Sequence, residues 1–189
     1  MATGKDLVRL VRKWRALLVV GVLGLTVLLT PPVAERYGDR LQVALPLLGL
    51  GCAALTGGVV EYTTRFVILE GGVHGTKAAM SQHPWNKRPN GGYSGFPSGH
   101  TAAASFGASA LVHECISGSP LAKAVVVVAA GFVGASRIDA GAHTIWQVLA
   151  GVLYGYATER LLRKHGPLRR GVFAGFSKMG ASVRRRFRR

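Results

Sequence analysis

Two arginines and two histidines stand at the ends of long apolar segments of this chain. They occur in three short strings: Arg88-Pro89, Pro97-Ser98-Gly99-His100, and Ser136-Arg137 separated by five residues from His143. Arginine in or beside a membrane span is costly without a partner, so such a cluster indicates a functional site. A guanidinium offers a planar fork of donors to phosphate oxygens, and histidine can act as nucleophile or proton donor. The pattern therefore predicts phosphate-ester chemistry at a membrane.

Charge and hydropathy are unevenly distributed along the chain. Hydrophobic residues make up 49% of the sequence and charged residues 17%, and the net charge is +16. Five basic residues precede Ala16 and eleven lie between Arg160 and the end, so both ends are basic. Positive flanks around apolar spans are typical of the cytoplasmic ends of membrane proteins. Because the basic residues do not alternate with stacking aromatics, nucleic acid is not expected as a partner.

The apolar segments predict an all-α fold, a polytopic membrane bundle of six transmembrane helices. Five candidate spans are recognised by composition: Ala16–Thr30, Leu41–Val60, Thr101–Ile116, Leu121–Ala135 and His143–Leu162. The positive-inside bias favours both termini in the cytoplasm, and hence an even number of crossings. The sixth crossing is expected at Glu61–Met80, with Glu61 and Arg65 paired one turn apart. A re-entrant or interfacial segment is the alternative there.

The whole chain, residues 1–189, is predicted to form a single membrane-embedded domain. Its parts would be a basic cytoplasmic N-terminus (1–15), a helix bundle (16–162) with a catalytic core (77–151), and a basic cytoplasmic tail (163–189). The tail is expected to lie along anionic lipids of the inner leaflet, or to be solvated and disordered. Six crossings place the loop 81–97 and the turn 135–143 on one non-cytoplasmic face. Cys52 and Cys115 lie in apolar stretches and are expected to be free and buried.

The string at 97–100 precedes an Ala-rich helix that is predicted to begin near Thr101. A helix start leaves N–H groups free for an anion, and Gly99 would let the backbone approach a ligand closely. In the alternative, Ser98 merely caps the helix and His100 faces the interface. The three strings together resemble the type-2 phosphatidic acid phosphatase superfamily, which includes membrane lipid phosphatases, soluble bacterial acid phosphatases and vanadium haloperoxidases. The resemblance covers residues 77–151, and Ser-Arg-x5-His is its most specific part.

This resemblance implies a role for each matching residue. His143 would attack phosphorus and become a transient phosphohistidine, while His100 would protonate the leaving oxygen and then activate water. Arg88 and Arg137 would hold the equatorial phosphoryl oxygens as charge spreads over them. Further hydrogen bonds would come from Ser98 and the Gly99 amide. No metal or other cofactor is implied, because the guanidiniums supply the positive charge.

The sequence departs from the family pattern at two positions. The family's lysine seven residues before the motif arginine is replaced by Ser81, so either Lys77 or Lys87 would bind the phosphate. The family's aspartate four residues after the nucleophile is replaced by Gln147. One helical turn separates Gln147 from His143, so its carbonyl could accept the Nδ1 hydrogen and orient the imidazole without supplying a charge.

An outward-facing site between helices suits a phosphate carried by a membrane phospholipid or glycolipid. The Arg-Pro-Asn-Gly-Gly connection from Arg88, the Ser-Gly-Phe-Pro run and the His-x3-Gln ending look most like bacterial lipid A 1-phosphatases. That resemblance implies a multi-pass protein of the bacterial inner membrane with a periplasmic active site. Undecaprenyl pyrophosphate, phosphatidylglycerol phosphate and phosphatidic acid are the other candidate substrates.

Three other functions fit parts of the pattern. A lipid phosphotransferase would use the same phosphohistidine and pass the phosphoryl group to an acceptor lipid. A non-catalytic lipid-binding protein would keep the arginines but would not need His143. A zinc enzyme would use His74, His83, His100 and His143, whose spacing matches no metal motif. Asp139 is expected to be a turn or surface residue, or a partner of Arg137 or of a lysine.

Overall fold

The computed structural model of the protein describes residues 4–163, with side chains described from residue 14 onward. This part contains six α-helices and no strand: α1 Gly4–Leu28, α2 Ala34–Thr56, α3 Val59–Met80, α4 Gly99–Ala110, α5 Pro120–Asp139 and α6 Ile145–Leu161. One turn of π-helix, Leu111–Cys115, extends α4, and a 3-10 turn at Pro84–Asn86 lies in the loop before it. The all-α prediction is confirmed. The predicted lipid contact of the basic tail lies outside the described residues.

Residues 61–80, the segment expected to form the sixth crossing, belong to one uninterrupted helix, α3. The described residues contain one helix, α5, that is long and apolar enough to cross a membrane, and a shorter apolar stretch at Trp14–Leu28. The prediction of a helix at 61–80 is thus confirmed. The crossing of the membrane by all six helices stays a prediction.

Close packing around α4 holds the bundle together. α4 is almost wholly buried, and it packs against α2, α5 and α6. Small residues make this possible, as expected for helices that approach closely. A Cβ on Gly151 of α6 would lie 2.5 Å from the Ser98 carbonyl oxygen, and one on Gly107 of α4 would lie 2.5 Å from the Leu45 carbonyl carbon.

The two cysteines form a disulfide, so the prediction of free cysteines was wrong. Cys52 near the end of α2 is joined to Cys115 at the end of the π turn, with their Cα atoms 5.8 Å apart. The two residues are 63 positions apart in sequence, and only the packing of α2 against α4 brings them together. The bridge lies at the end of the bundle remote from the charged strings.

The expected pairing of Glu61 with Arg65 is replaced by a longer-range contact. Arg65 Nη1 forms an ion pair with the fully buried Glu159 of α6, at 2.9 Å. Arg65 Nε donates instead to the backbone carbonyl of Glu61, at 3.3 Å. Ser109 donates to the second carboxylate oxygen of Glu159, at 2.6 Å. The buried Arg65 is thus paired with a fully buried carboxylate of another helix, and removal of either partner would leave an uncompensated buried charge.

The loops that carry the charged strings meet at one end of the bundle, whereas their position on the non-cytoplasmic face stays a prediction. The buried Asn86 organises the first loop: its Nδ2 donates to the Ser81 carbonyl at 2.7 Å, and its Oδ1 accepts from the Phe96 N–H at 3.0 Å. At the end of this loop, the Ser98 N–H donates to the Gln147 backbone carbonyl at 2.9 Å. The loop before α4 is therefore tied directly to the start of α6.

Candidate active site

His143 lies in the short connection between α5 and α6 and is 3% exposed. The backbone carbonyl of Arg137, in the last turn of α5, accepts from the N–H groups of Ala142 and His143 at 3.0 and 3.1 Å. These two bonds close the turn. The five-residue spacing in the sequence is therefore the length of chain that returns His143 to Arg137.

Gln147 holds the His143 ring in one orientation. Its side chain is 2% exposed, and Nε2 donates to the backbone carbonyls of Trp85 and Lys87 at 2.9 and 2.8 Å. Because carbonyls only accept, the amide nitrogen must face them, and Oε1 must face His143 Nδ1, 3.2 Å away. Nδ1 therefore carries the hydrogen. The lone pair that a nucleophile needs is left on Nε2.

The surroundings of His143 keep the imidazole neutral. Burial, the charge of Arg88 and the charge of Lys77 together lower the pKa of His143 to about 4. The hydrogen bond to Gln147 opposes this shift. Burial and nearby positive charge both disfavour the charged form of the ring. At neutral pH the ring is uncharged, and an uncharged imidazole is the form that can attack phosphorus.

Each of the two motif arginines carries a buried donor without a partner. Within the part of the chain that the structure describes, Nε of Arg88 and Nε of Arg137 are the buried side-chain polar atoms that make no hydrogen bond. Arg88 is otherwise held by its own loop, since Nη2 donates to the Ser94 carbonyl at 3.0 Å and its N–H to the Gly92 carbonyl at 2.7 Å. Buried donors are nearly always paired, so an open donor on a guanidinium points to an anion.

His100 and Arg137 meet at Asp39, a residue that lies outside all three motif strings and was not predicted to belong to the site. Asp39 Oδ1 lies 3.3 Å from Nε2 of His100 and 3.2 Å from Nη1 of Arg137. One turn earlier in α2, the Glu35 backbone carbonyl accepts from Arg137 Nη2 at 3.2 Å, and its carboxylate lies 3.7 Å from the same atom. The sequence signal that could have pointed to these contacts was the pair of carboxylates, Glu35 and Asp39, four residues apart at the start of an apolar helix. Nothing in the sequence indicated which cations they face.

Ser98 and Gly99 form the start of α4. Ser98 is the N-cap residue and is fully buried, but its side chain accepts no N–H from the helix. Its Oγ lies instead 2.9 Å from Thr101 Oγ1. The alternative in which Ser98 serves as an ordinary cap is therefore wrong, and the first N–H groups of α4 remain available beside His100.

The two candidate lysines lie in different surroundings. Lys77, in the last turn of α3, has its Nζ 3.6 Å from the position that a Cβ on Gly99 would take. Its charge acts on both His100 and His143. Lys87 has an exposed side chain and lines a groove on the outer side of α6. Lys77 is thus the lysine that lies beside both histidines.

An apolar groove adjoins Gln147. Its volume is about 740 Å³, and its lining combines aromatic and aliphatic side chains with three polar ones. The apolar members include Trp85, Phe96, Trp146, Leu149 and Leu153, and the polar ones include Lys87 and Gln147. Since Gln147 also contacts His143, a ligand chain in the groove would lie next to the reacting end of the site.

The other residues named in the sequence analysis lie elsewhere. His74 is 3.8 Å from the Glu70 carboxylate on an exposed face, and His83 Nδ1 accepts from the Trp85 N–H at 3.3 Å. Residues 4–163 contain no group of three His, Cys, Asp or Glu side chains that could hold a metal ion. Asp139 is exposed at the end of α5, and the carboxylates beside Arg137 are those of α2.

The family to which the chain belongs identifies it, in general terms, as a phosphoric ester hydrolase. A family model described as the PAP2 superfamily matches residues 65–168, more than half of the chain, and the protein belongs to that superfamily. Its members are phosphatases that act on phosphate esters, often those of lipids. No curated protein and no solved structure was found to match the chain.

Proposed function

We propose that the protein is a metal-independent lipid phosphate phosphatase that acts through a phosphohistidine. The observation that carries this proposal is the pair of buried, unpartnered Nε donors on Arg88 and Arg137, found together with a neutral, oriented His143. Two open guanidinium donors suit a tetrahedral phosphoryl group. An imidazole with its lone pair on Nε2 suits in-line attack on phosphorus.

The proposed reaction has two steps. Nε2 of His143 forms a bond to phosphorus while the bond to the leaving oxygen breaks, and His100 gives that oxygen a proton. His100 then takes a proton from water as the water oxygen bonds to phosphorus and the phosphorus–nitrogen bond breaks. Arg88 and Arg137 stabilise the charge on the phosphoryl oxygens in both steps. Lys77 adds a third cation, and Ser98 and the Gly99 N–H add hydrogen bonds.

The proposed substrate is a phosphomonoester or pyrophosphate on a membrane lipid, with lipid A 1-phosphate favoured. The apolar groove beside Gln147 supports a substrate that carries a hydrocarbon chain. Large apolar side chains are exposed on the outer faces of the helices, for example Leu28, Val128 and Leu153 at 82%, 70% and 69%. Exposed apolar surface of this kind supports contact with lipid.

The same proposal places the protein in the bacterial inner membrane as a six-span protein with both termini in the cytoplasm and the site on the periplasmic face. Ser81→Cys and Asp139→Cys would test this topology in intact cells with an impermeant maleimide. The native cysteines form a disulfide and add no background. Labelling of both introduced cysteines from outside supports the proposed orientation. Labelling of either residue only from the cytoplasmic side contradicts it.

The activity is tested by phosphate release from detergent-purified protein in the presence of EDTA. The panel contains lipid A, undecaprenyl pyrophosphate, phosphatidylglycerol phosphate and phosphatidic acid, and His143→Ala serves as the inactive control. We expect release from at least one lipid and its loss in the variant. Release that persists in His143→Ala contradicts the phosphohistidine mechanism. Phosphorylation of an acceptor lipid without release of phosphate favours the phosphotransferase alternative.

A further inference from the structure

Asp39 contacts two of the proposed catalytic groups, although it belongs to none of the three motif strings. It lies in α2, before the residues 65–168 that match the family. A single oxygen, Oδ1, bridges Nε2 of His100 at 3.3 Å and Nη1 of Arg137 at 3.2 Å. One carboxylate thus connects the proposed proton donor with a proposed phosphate-binding arginine.

The position of Asp39 follows from close packing between α2 and α5. Gly38 lies against the Ser136 side chain, and a Cβ at residue 38 would overlap Ser136 Oγ. The absence of a side chain lets α2 approach the Ser-Arg string directly. The residue that follows Gly38 is thereby brought beside Arg137. The Asp39 side chain remains 47% exposed, so a change of its charge does not disturb the core.

The contact decides which nitrogen of His100 can transfer a proton. A carboxylate only accepts hydrogen bonds, so its position 3.3 Å from Nε2 favours a hydrogen on that nitrogen and leaves Nδ1 for exchange with the substrate or water. The negative charge also favours the protonated ring. Burial and two cations, Arg137 from α5 and Lys77 from α3, oppose it and lower the pKa of His100 on balance. The charged residues of α6, Glu159 and Arg160, lie at the far end of that helix.

We propose that Asp39 is a positioning residue for His100 in the proposed phosphatase reaction, on which this inference rests. It holds Nε2–H so that Nδ1 gives its proton to the leaving oxygen as the phosphorus–oxygen bond breaks. Its negative charge also favours protonation of the ring, against burial and two neighbouring cations. In the second step Nδ1 takes a proton from water, so the ring returns to its starting form. Asp39 stays a carboxylate throughout.

The test compares two substrates that differ in their need for a proton donor. Nitrophenolate leaves p-nitrophenyl phosphate as a stable anion, whereas the alkoxide of dodecyl phosphate must be protonated. In Asp39→Asn we expect kcat/KM for dodecyl phosphate to fall about 100-fold, the usual contribution of a general acid. We expect kcat/KM for p-nitrophenyl phosphate to change less than about 3-fold, because the step it reports needs no proton. The alkaline limb of the pH profile of kcat/KM for dodecyl phosphate should also move to lower pH, because the carboxylate no longer favours the protonated ring.

Glu35→Gln is the matched control. Glu35 lies one turn away on the same helix and contacts the same arginine, but its ion pair is with Arg137 and not with His100. We expect this variant to change kcat/KM for both substrates by the same factor and to leave the pH limb in place. His100→Asn serves as the reference variant. In the double variant, Asp39→Asn should cause no further loss of kcat/KM for dodecyl phosphate beyond that of His100→Asn alone.

The outcomes separate this inference from the proposed function. Equal losses on both substrates in Asp39→Asn would show that the carboxylate supports binding or folding only, and would overturn the inference. If Glu35→Gln also lost much more kcat/KM for dodecyl phosphate than for p-nitrophenyl phosphate, the inference would be overturned as well. Hydrolysis of neither substrate by the parent protein, with lipid substrates also inert, would overturn the proposed function itself.

Discussion

The carbonyl oxygen of Gln147 lies 3.2 Å from Nδ1 of His143, while the amide nitrogen of the same side chain is held by two backbone carbonyls. Those carbonyls belong to Trp85 and Lys87, which lie three residues and one residue before Arg88 in the chain. One buried amide therefore sets the tautomer of the proposed nucleophile and fixes the loop that carries a phosphate-binding arginine. An aspartate, which the family usually has here, would be too short to reach both carbonyls and would face them with a charge.

The first prediction concerns Gln147→Glu, which keeps the length of the side chain. A carboxylate would face the Trp85 and Lys87 carbonyls, so two hydrogen bonds are replaced by repulsion. We expect the free energy of unfolding to fall by about 2 kcal/mol, as for buried groups left unsatisfied. We expect kcat/KM to fall about tenfold or more, since orienting groups contribute that much. Thermal unfolding and phosphate release measure the two effects.

Gln147→Ala is the companion variant, because it removes the acceptor for Nδ1 without adding a charge. It should also lose about tenfold or more in turnover. If turnover were unchanged, the proposed orienting role of Gln147 would be wrong.

The second prediction is the pH dependence that follows from His143. Its pKa is lowered to about 4, chiefly by burial and next by Arg88. The reactive, neutral ring therefore persists as pH falls from 6.5 toward 4, and the acid limb of kcat/KM due to this residue should lie near pH 4. Because unfolded chains protonate histidine near pH 6.5, the contribution of this neutral histidine to stability is complete above that pH and declines below it.

An NMR titration of the His143 ring measures this value directly. In Arg88→Gln the loss of a nearby cation should raise the midpoint toward the ordinary range. A midpoint near 6.5 in the parent protein would contradict the low value, and an unchanged midpoint in Arg88→Gln would contradict the influence of Arg88.

Several of these features follow from the sequence, and others depend on packing. The helix at 61–80 was predictable from charge parity, and the spacing of Arg137 and His143 could be read as one turn. The Cys52–Cys115 disulfide could not be predicted, because it joins two helices 63 residues apart. Asp39 was missed for the same reason: its contacts with His100 and Arg137 depend on the close packing of α2 against α5 at Gly38.

The third prediction concerns the groove beside Gln147. Trp146 is 74% exposed and lines the groove, so its replacement by alanine removes apolar contact without opening a cavity in the core. We expect KM for a long-chain lipid phosphate to rise about tenfold, which corresponds to the loss of roughly 1.4 kcal/mol of apolar contact. KM for p-nitrophenyl phosphate should stay unchanged, because this substrate has no chain.

Val128→Ala is the control for the groove, since Val128 is equally exposed but lies on α5. It should leave both KM values unchanged. A similar rise in KM for the lipid substrate in both variants would indicate a general effect of detergent or lipid contact rather than a binding groove.

The fourth prediction concerns the ion pair between Arg65 and Glu159. Glu159 is fully buried and accepts from Arg65, Ser109 and Arg163. Glu159→Gln leaves the buried Arg65 charge uncompensated, so we expect a loss of about 3–5 kcal/mol in unfolding free energy. Glu114→Gln, which removes a more exposed carboxylate paired with Arg163, should cost less than about 1 kcal/mol.

The effect of Glu159→Gln should be confined to stability. Arg65 lies twelve residues before Lys77 in the same helix, or about 18 Å along its axis, so the charge change is remote from the histidines. At a temperature where the variant is folded, kcat/KM should therefore equal that of the parent protein. A large change in kcat/KM in the folded variant would contradict this separation.

The last prediction uses two glycines of the helices beside the site. A Cβ on Gly151 would lie 2.5 Å from the Ser98 carbonyl oxygen, whereas one on Gly131 would meet nothing within 4 Å. Gly151→Ala must push α6 away from the start of α4 and so displace Ser98 and His100. We expect it to lower the free energy of unfolding by about 1–3 kcal/mol, as overpacked cores do, and to lower kcat/KM with it. Gly131→Ala should raise stability by about 0.5–1 kcal/mol, because alanine is the better helix former. Thermal unfolding and phosphate release of the two variants, measured side by side, check both signs. A neutral Gly151→Ala would mean that α6 need not approach α4 so closely for the site to form.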